Sequence, residues 1–343
     1  MSNLIKILTS IVSKILAHIW WRLPISREQK EDVKTFIFSN FYIFFRYTSV
    51  YRNWESARFL SIIEVGKSNN NIIEFHRFQL KELYENTPIS ADPIHSIAIV
   101  IHVFYLEILD ELLSKINISN NIMLKFYITS PIELSDAIQH RFEILALKYV
   151  YVPVENRGRD ILPFLKILPI VFKDGFQIVL KIHTKKSLHL KTGFIWRNDM
   201  YKKLLSEKAM KSILNLFNAV PEIGMLGPEG HIVPMNLYYG ANSDRLKAIC
   251  IAFKIPIQHL FEMNFVAGSM FYARIESFFP LLNLDLQVDD FEPELGQLDG
   301  TMAHVIERSF AISTYVSGLK LVDSAYHPLE REIKTNLNYK FTR

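Results

Sequence analysis

Cysteine is nearly absent from this 343-residue sequence, which contains only Cys250. One cysteine excludes an intramolecular disulfide and any zinc site built from several cysteines, as is typical of a reducing cytoplasm. No segment has the short apolar core and small-residue cleavage site of a secretory signal. Charged residues make up only 22% of the chain and apolar residues 49%, which excludes a disordered protein. We therefore expect a globular cytoplasmic protein.

A net positive charge is present only at the start of the chain. Residues 1–58 contain nine Lys/Arg and four Asp/Glu, whereas the remainder contains 30 and 31. A nucleic-acid-binding protein more often spreads its basic residues over a folded face. The distribution therefore argues against a nucleic-acid partner.

The first 23 residues show an amphipathic helical pattern. Apolar residues recur at steps of three and four, at Leu4, Leu8, Ile11, Ile15 and Ile19. Lys6 and Lys14 interrupt this stretch too early for a transmembrane span of about 20 residues. An aromatic cluster follows between Phe36 and Tyr51. Residues 1–90 are thus predicted to be helical, either lying on an anionic membrane surface or packing against protein.

From residue 95 onward, apolar strands alternate with helical patterns. The strands are predicted at 97–103, 124–128, 149–154, 176–182, 223–226 and 265–272. This alternation predicts an α/β fold with a largely parallel sheet flanked by helices. We assign it to residues 91–330 and expect a tail over 331–343. Ligands of such sheets bind outside the carboxyl ends of the strands.

A cationic motif follows the third predicted strand and opens a helix. It consists of Asn156, Arg157, Gly158, Arg159 and Asp160. Arginine offers a planar fork to phosphate, glycine permits close approach to the backbone, and the helix N-terminus adds positive potential. We interpret the motif as part of a donor-binding site. A solvated loop with a helix cap at Asp160 is the alternative.

Further donor-binding candidates end two other strands. Lys185 and Lys186 follow the fourth strand, where they could neutralise a diphosphate leaving group. His183 could donate to the same oxygens or serve a structural role. His102, at the end of the first strand, is a candidate for the nucleoside pocket, with a structural role again the alternative.

Small residues and carboxylates near the C-terminus predict an acceptor side. Gly268 and Ser269 interrupt an apolar strand and leave room for a substrate beside the backbone. Gln297 is assigned to the same side. The carboxylates that precede the following helix are candidate general bases for a sugar hydroxyl, namely Asp299, Glu294 and Asp290. Ordinary helix capping is the alternative.

Several blocks of sequence, in this order, resemble the rhamnan synthesis protein F family. They are IVIHVFY (99–105), NRGRDILPFL (156–165), VLKIHTKKS (179–187), IGMLGP (223–228), FVAGSMFYAR (265–274) and ELGQLDGTMAHVIERSF (294–310). The resemblance implies a glycosyltransferase of bacterial surface polysaccharide synthesis, with a nucleoside-diphosphate sugar such as dTDP-rhamnose as donor. It also implies a lipid-linked polysaccharide or O-antigen acceptor at the inner face of the plasma membrane.

The order of the blocks is also similar to the GT-A glycosyltransferase arrangement. That similarity implies a GT-A-like domain and an inverting transfer with Asp299 as the general base. Glu294 and Asp290 are the next candidates for this base. Many metal-dependent GT-A enzymes carry Asp-x-Asp where this sequence has His183-Thr184-Lys185. No cofactor is therefore certain. Arg157, Arg159, Lys185 and Lys186 could supply the positive charge that a divalent metal provides in other enzymes. A phosphosugar transferase and a non-catalytic membrane scaffold remain as alternative functions.

Overall fold

The structure, a computed structural model, describes residues 26–40, 93–116, 122–186, 193–326 and 335–339, together with Phe45, Tyr51 and Trp54. The chain divides into two compact units, Met1–Val65 and Gly66–Arg343. The amphipathic helix predicted over the first 23 residues and the boundary predicted at residue 90 both lie outside the described residues.

The first unit contains helix α1 (Arg27–Asn40). Ser26 and Gln29 exchange side-chain to backbone hydrogen bonds of 3.0 and 3.1 Å, which satisfies the first turn of the helix. The ring of Phe38 lies 5.2–5.3 Å from the rings of Phe45, Tyr51 and Trp54, centroid to centroid. Part of the predicted aromatic cluster therefore forms a small core of its own.

A seven-stranded sheet forms the centre of the second unit. Its strands are β1 (Ser96–His102), β2 (Met123–Ser130), β3 (Tyr149–Pro153), β4 (Ile178–His183), β5 (Ile223–Gly227), β8 (Phe271–Arg274) and β9 (Lys320–Asp323). They lie in the order β3-β2-β1-β4-β8-β5-β9. Only β8 runs against the others, between β4 and β5. The predicted α/β fold with a largely parallel sheet is confirmed.

Helices flank this sheet. They are α2 (Leu106–Lys115), α3 (Ser135–Ile144), α4 (Ile161–Lys173), α5 (Gly193–Leu205), α6 (Glu207–Ala219), α7 (Met235–Tyr238), α8 (Ser243–Ala252), α9 (Ile257–Leu260), α10 (Phe279–Leu282) and α11 (Met302–Val316). Every residue of β4 is buried, as its continuous apolar run requires when both faces are covered. Among the described helices, none is long and apolar enough to cross a membrane.

The prediction of a single strand over 265–272 is wrong, because a turn divides this segment between two strands. Strand β7 (Asn264–Val266) pairs with β6 (Ile232–Pro234) in a separate two-stranded sheet, and β8 joins the main sheet. Gly268 and Ser269 between them have φ values of +85° and +57°. A strand cannot continue through left-handed backbone, so the chain changes sheets at this point.

A second left-handed pair precedes helix α4. Gly158 and Arg159 have φ values of +69° and +56°. A Cβ atom at Gly158 would lie 2.6 Å from Leu162 Cβ and 2.9 Å from the ring of Phe291. Residue 158 must therefore be glycine for two reasons, its backbone conformation and the close packing of Phe291.

We predict that Gly158→Ala destabilises the protein more than Gly175→Ala. Gly175 also has a positive φ, of +81°, but a Cβ atom there would meet nothing within 4 Å. Both variants incur the left-handed cost of about 1–2 kcal/mol, and Gly158→Ala adds an overpacking cost of about 1–3 kcal/mol. Urea unfolding measures the difference. Equal losses would contradict the packing described here.

Candidate functional site

Polar side chains form a row at the carboxyl edge of the sheet. Thr129, His102 and His183 lie in register on β2, β1 and β4. His102 Nδ1 lies 3.0 Å from Thr129 Oγ1. His183 Nε2 donates to the Gly268 carbonyl at 3.0 Å, and its Nδ1 accepts from the Lys185 amide at 3.3 Å. Both ring nitrogens of His183 are thus used within the protein, so its proposed contact with donor oxygens remains only a prediction.

A buried ion pair lies beneath this row. Lys181 Nζ is 2.5 Å from Asp160 Oδ2, and the two side chains are only 1% and 8% exposed. Lys181 also donates to the Ser269 carbonyl at 2.9 Å. Burial alone would raise the pKa of Asp160, but the positive charge of Lys181 holds that pKa well below its usual value. Asp160 makes no side-chain capping bond to α4, so its role is this ion pair.

Arg159 fixes the loop that precedes α11. Its guanidinium donates to the Gln297 carbonyl and, at 2.9 Å, to His304 Nε2. Its Nε lies 3.6 Å from a carboxylate oxygen of Glu294, and its backbone N–H donates to the other at 3.1 Å. Because arginine can only donate, His304 Nε2 accepts this bond. His304 Nδ1 lies 2.8 Å from Thr301 Oγ1 and 3.3 Å from the Thr301 backbone nitrogen. Burial lowers the pKa of His304 well below its usual value, in agreement with a neutral ring.

Two of the predicted cations lie at the rim of the site. Arg157 pairs at 2.9 Å with Asp289, whose side chain is 92% exposed. Lys186 pairs with Glu107, and its ammonium lies 4.6 Å from the ring centre of Tyr105. These contacts keep both cations on the outer side of their loops.

Lys185 is the inner cation. Its ammonium makes no hydrogen bond or ion pair with any residue that the structure describes. Burial lowers the pKa of Lys185, and Arg159 lowers it further, whereas Asp160, Glu307 and Glu294 raise it. Arg159 and Lys185 therefore share one cleft with two glutamates, and Lys185 is the cation available to an anionic ligand.

The three predicted bases occupy different environments. Asp290 accepts from the Gln287 amide at 2.7 Å in the turn before Phe291. Asp299 accepts from the Ala241 amide and from the Asn242 side chain, both at 2.8 Å. Burial opposes ionisation of Asp299, but Arg308 and these bonds lower its pKa.

Glu294 faces the cleft beside Arg159. Burial raises the pKa of its carboxyl group above the usual value. In contrast to those of Asp299, the surroundings of Glu294 favour proton uptake.

The acceptor-side candidates serve first as structure. A Cβ atom at Gly268 would lie 2.2 Å from the indole of Trp196, so the residue must be glycine. Ser269 Oγ is buried and has no hydrogen-bond partner among the described residues. The Gln297 side chain donates to the Pro293 carbonyl at 2.7 Å and accepts from the Leu295 amide at 2.9 Å, which holds the loop in shape. Asn156 is exposed on the loop before Arg157.

The end of β4 does not fit a divalent metal. It presents the Lys185 ammonium and a histidine whose two ring nitrogens are already bonded. Within the described ranges, no group of three or more His, Cys, Asp or Glu side chains is arranged to hold a metal ion.

The family of the chain follows from comparison with known sequences. The family model described as rhamnan synthesis protein F matches residues 68–318, which include every strand of the sheet except β9. The chain belongs to the rhamnan synthesis protein F family. In this family member Arg159 follows β3 and Lys185 follows β4, both at the carboxyl edge of the sheet, and Glu294 contacts Arg159.

The curated relatives are two proteins called "Uncharacterized protein WxcX", from two strains of Xanthomonas campestris pv. campestris. Each is 37% identical to this rhamnan synthesis protein F family member over 226 residues. That match covers 65% of this chain and 32% of each relative. The chain therefore spans about a third of the length of these relatives.

Sequence reasoning missed Glu307 as a residue of the site. Its Oε1 accepts from the Gly268 amide at 3.0 Å, and Lys185 and Asp160 both influence its pKa. The signal was present in the sequence, because His304, Glu307 and Arg308 recur at helical spacing in a helix whose other residues are mostly buried and apolar.

We predict that the protein loses stability on mild acidification through its buried histidines. Burial lowers the pKa of His102 and His183 to about 4, against about 6.5 in the unfolded chain. As pH falls below 6.5, the unfolded chain takes up protons first, so the stabilisation present above 6.5 is lost between 6.5 and 4. Each histidine should contribute a loss of about 2 kcal/mol between pH 7 and 5.

The check is urea unfolding at pH 7 and pH 5. His183→Gln should reduce the pH dependence of the free energy of unfolding, whereas replacement of the exposed His140 by Gln should leave it unchanged. An identical pH dependence in wild type and His183→Gln would show that His183 is not held neutral.

Proposed function

We propose that this chain is an inverting glycosyltransferase of bacterial surface polysaccharide synthesis. Its donor is a nucleoside-diphosphate sugar such as dTDP-rhamnose, and its acceptor a lipid-linked polysaccharide or O-antigen glycan. The observation that carries the proposal is the unpaired ammonium of Lys185 within the described cleft. Membership of the rhamnan synthesis protein F family supports a polysaccharide pathway.

The surroundings of Lys185 suit a diphosphate leaving group. The charge that develops on the leaving oxygens would be met by the Lys185 ammonium, which follows directly after a buried strand. Arg159 adds positive potential while its own donors hold the loop of residues 294–297. Lys185 and Arg159 would thus stabilise the negative charge that a divalent metal stabilises in other enzymes.

The membrane location is part of the same proposal. The basic, aromatic N-terminal segment suits the inner face of the plasma membrane, where anionic lipid attracts Lys and Arg. A lipid-linked acceptor would be presented at that surface.

We predict that Lys185→Gln weakens binding of the nucleotide sugar. A hydrogen bond to a charged group contributes about 1.5–3 kcal/mol, so the dissociation constant for dTDP-rhamnose should rise by about 10- to 100-fold. Isothermal titration calorimetry measures it. Lys208→Gln, at an exposed lysine of α6, is the matched control and should bind like wild type. Equal affinities in Lys185→Gln and wild type would remove Lys185 from the donor site.

The product of the reaction separates the competing functions. A glycosyltransferase releases a nucleoside diphosphate, whereas a phosphosugar transferase releases a nucleoside monophosphate. We expect the diphosphate when the full chain is incubated with nucleotide sugars and a membrane extract containing acceptor. Donor binding without any turnover would favour a non-catalytic scaffold.

A further inference from the structure

We infer that Glu307 is the general base that deprotonates the acceptor hydroxyl. The assignment rests on the proposed glycosyl transfer and selects a residue that the sequence did not single out. It comes from the way in which Glu307 is held between the turn at Gly268 and the cleft that contains Lys185.

Only one oxygen of the Glu307 carboxylate is committed to the protein. Oε1 accepts from the Gly268 amide at 3.0 Å. Oε2 lies 3.9 Å from Arg308 Nη1, beyond hydrogen-bond distance. That Arg308 nitrogen already donates to the His304 carbonyl at 2.9 Å. The Glu307 side chain is 18% exposed, so it is not fully removed from solvent.

Gly268, whose amide binds the Glu307 carboxylate, lies at a tightly packed turn. The glycine lies in the left-handed turn between β7 and β8, directly against Trp196. The neighbouring Ser269 Oγ is buried and has no hydrogen-bond partner among the described residues. The Gly268 amide thus fixes the Glu307 carboxylate beside this turn.

The surroundings of Glu307 favour proton uptake by its carboxylate. Burial raises the pKa of its carboxyl group, as does Asp160, while Arg308, Lys185 and Lys181 lower it. Lys185 lies within the same field, so the cation proposed for the leaving group and the base belong to one cleft.

The other carboxylates are more firmly engaged. Both oxygens of Asp299 accept hydrogen bonds that hold the turn at residues 240–242. Glu294 accepts from the Arg159 amide and lies 3.6 Å from the Arg159 guanidinium. Asp299 therefore uses both oxygens to fix a loop, whereas Glu294 and Glu307 each have one oxygen outside hydrogen-bond distance of the described residues. The second oxygen of Glu294 lies nearer to a guanidinium, 3.6 Å from Arg159 Nε against 3.9 Å from Arg308 Nη1 for Glu307.

In the proposed step, the acceptor hydroxyl oxygen forms a bond to the anomeric carbon of the donor sugar, and its proton passes to Glu307 Oε2. The bond between the anomeric carbon and the phosphate oxygen breaks at the same time. Its electron pair leaves with the nucleoside diphosphate, whose charge Lys185 stabilises. The configuration at the anomeric carbon is inverted.

The test compares transfer and donor binding in Glu307→Gln. Glutamine keeps the acceptor for the Gly268 amide but cannot take up the proton, so transfer from dTDP-rhamnose should fall by about 100-fold or more. Donor affinity by calorimetry should stay within a few-fold of wild type. The wild-type rate should decline as pH falls through the pKa of the base, and Glu307→Asp should retain part of the activity with this decline. Glu143→Gln, at an exposed residue of α3, is the control.

Near-normal transfer by Glu307→Gln, with donor still bound, would overturn this assignment alone. The same holds if Asp299→Asn or Glu294→Gln abolishes transfer while Glu307→Gln does not. Failure of the wild-type chain to bind any nucleotide sugar would overturn the proposed function as well. If Glu307→Gln does not fold, Glu307→Asp and the wild-type pH profile decide, measured only at pH values where urea unfolding shows the chain to be folded. A rate that does not decline with falling pH in that range overturns the assignment.

Discussion

The candidate site depends on the buried ion pair between Lys181 and Asp160. A lysine with 1% exposure is stable as a cation only if its donors are satisfied, and here Asp160 and the Ser269 carbonyl satisfy them. Removal of one partner would leave an uncompensated buried charge, at a cost of about 3–5 kcal/mol. Because Lys181 lies on β4, Asp160 before α4 and Ser269 between β7 and β8, the pair fixes three chain segments at the same edge of the sheet.

Two segments that hold Lys181 contain residues with left-handed backbone. Gly158 and Arg159 directly precede Asp160. Gly268 and Ser269 form the turn in which the Ser269 carbonyl accepts a hydrogen bond from Lys181. Such conformations persist when surrounding contacts determine them, and they are frequent at functional sites. The first turn directs Arg159 across the loop of residues 294–297. The second presents the Gly268 amide to Glu307. These contacts hold Arg159 and Glu307 in a defined arrangement, which the proposed electrostatic catalysis requires.

Much of this architecture could be predicted from local sequence. Continuous apolar runs identified the buried strands, and the rule for parallel sheets placed Arg159 and Lys185 at one edge. The division of residues 265–272 between two sheets depends on tertiary contacts of Gly268, which hydrophobic pattern does not record. The same limit applies to the carboxylates. Asp299 and Glu307 differ by what binds their oxygens, and those partners, Asn242 and Gly268, lie far away along the chain.

In the proposed complex, a nucleotide sugar binds at the carboxyl edge of the sheet with its diphosphate on Lys185. The decisive measurement is a crystal structure of the full chain with dTDP-rhamnose. We expect diphosphate oxygens within about 3 Å of Lys185 Nζ and the sugar on the side of Gly268 and Glu307. A donor that binds elsewhere on the protein, or in this cleft with its diphosphate away from Lys185, would show that the donor site is assigned wrongly.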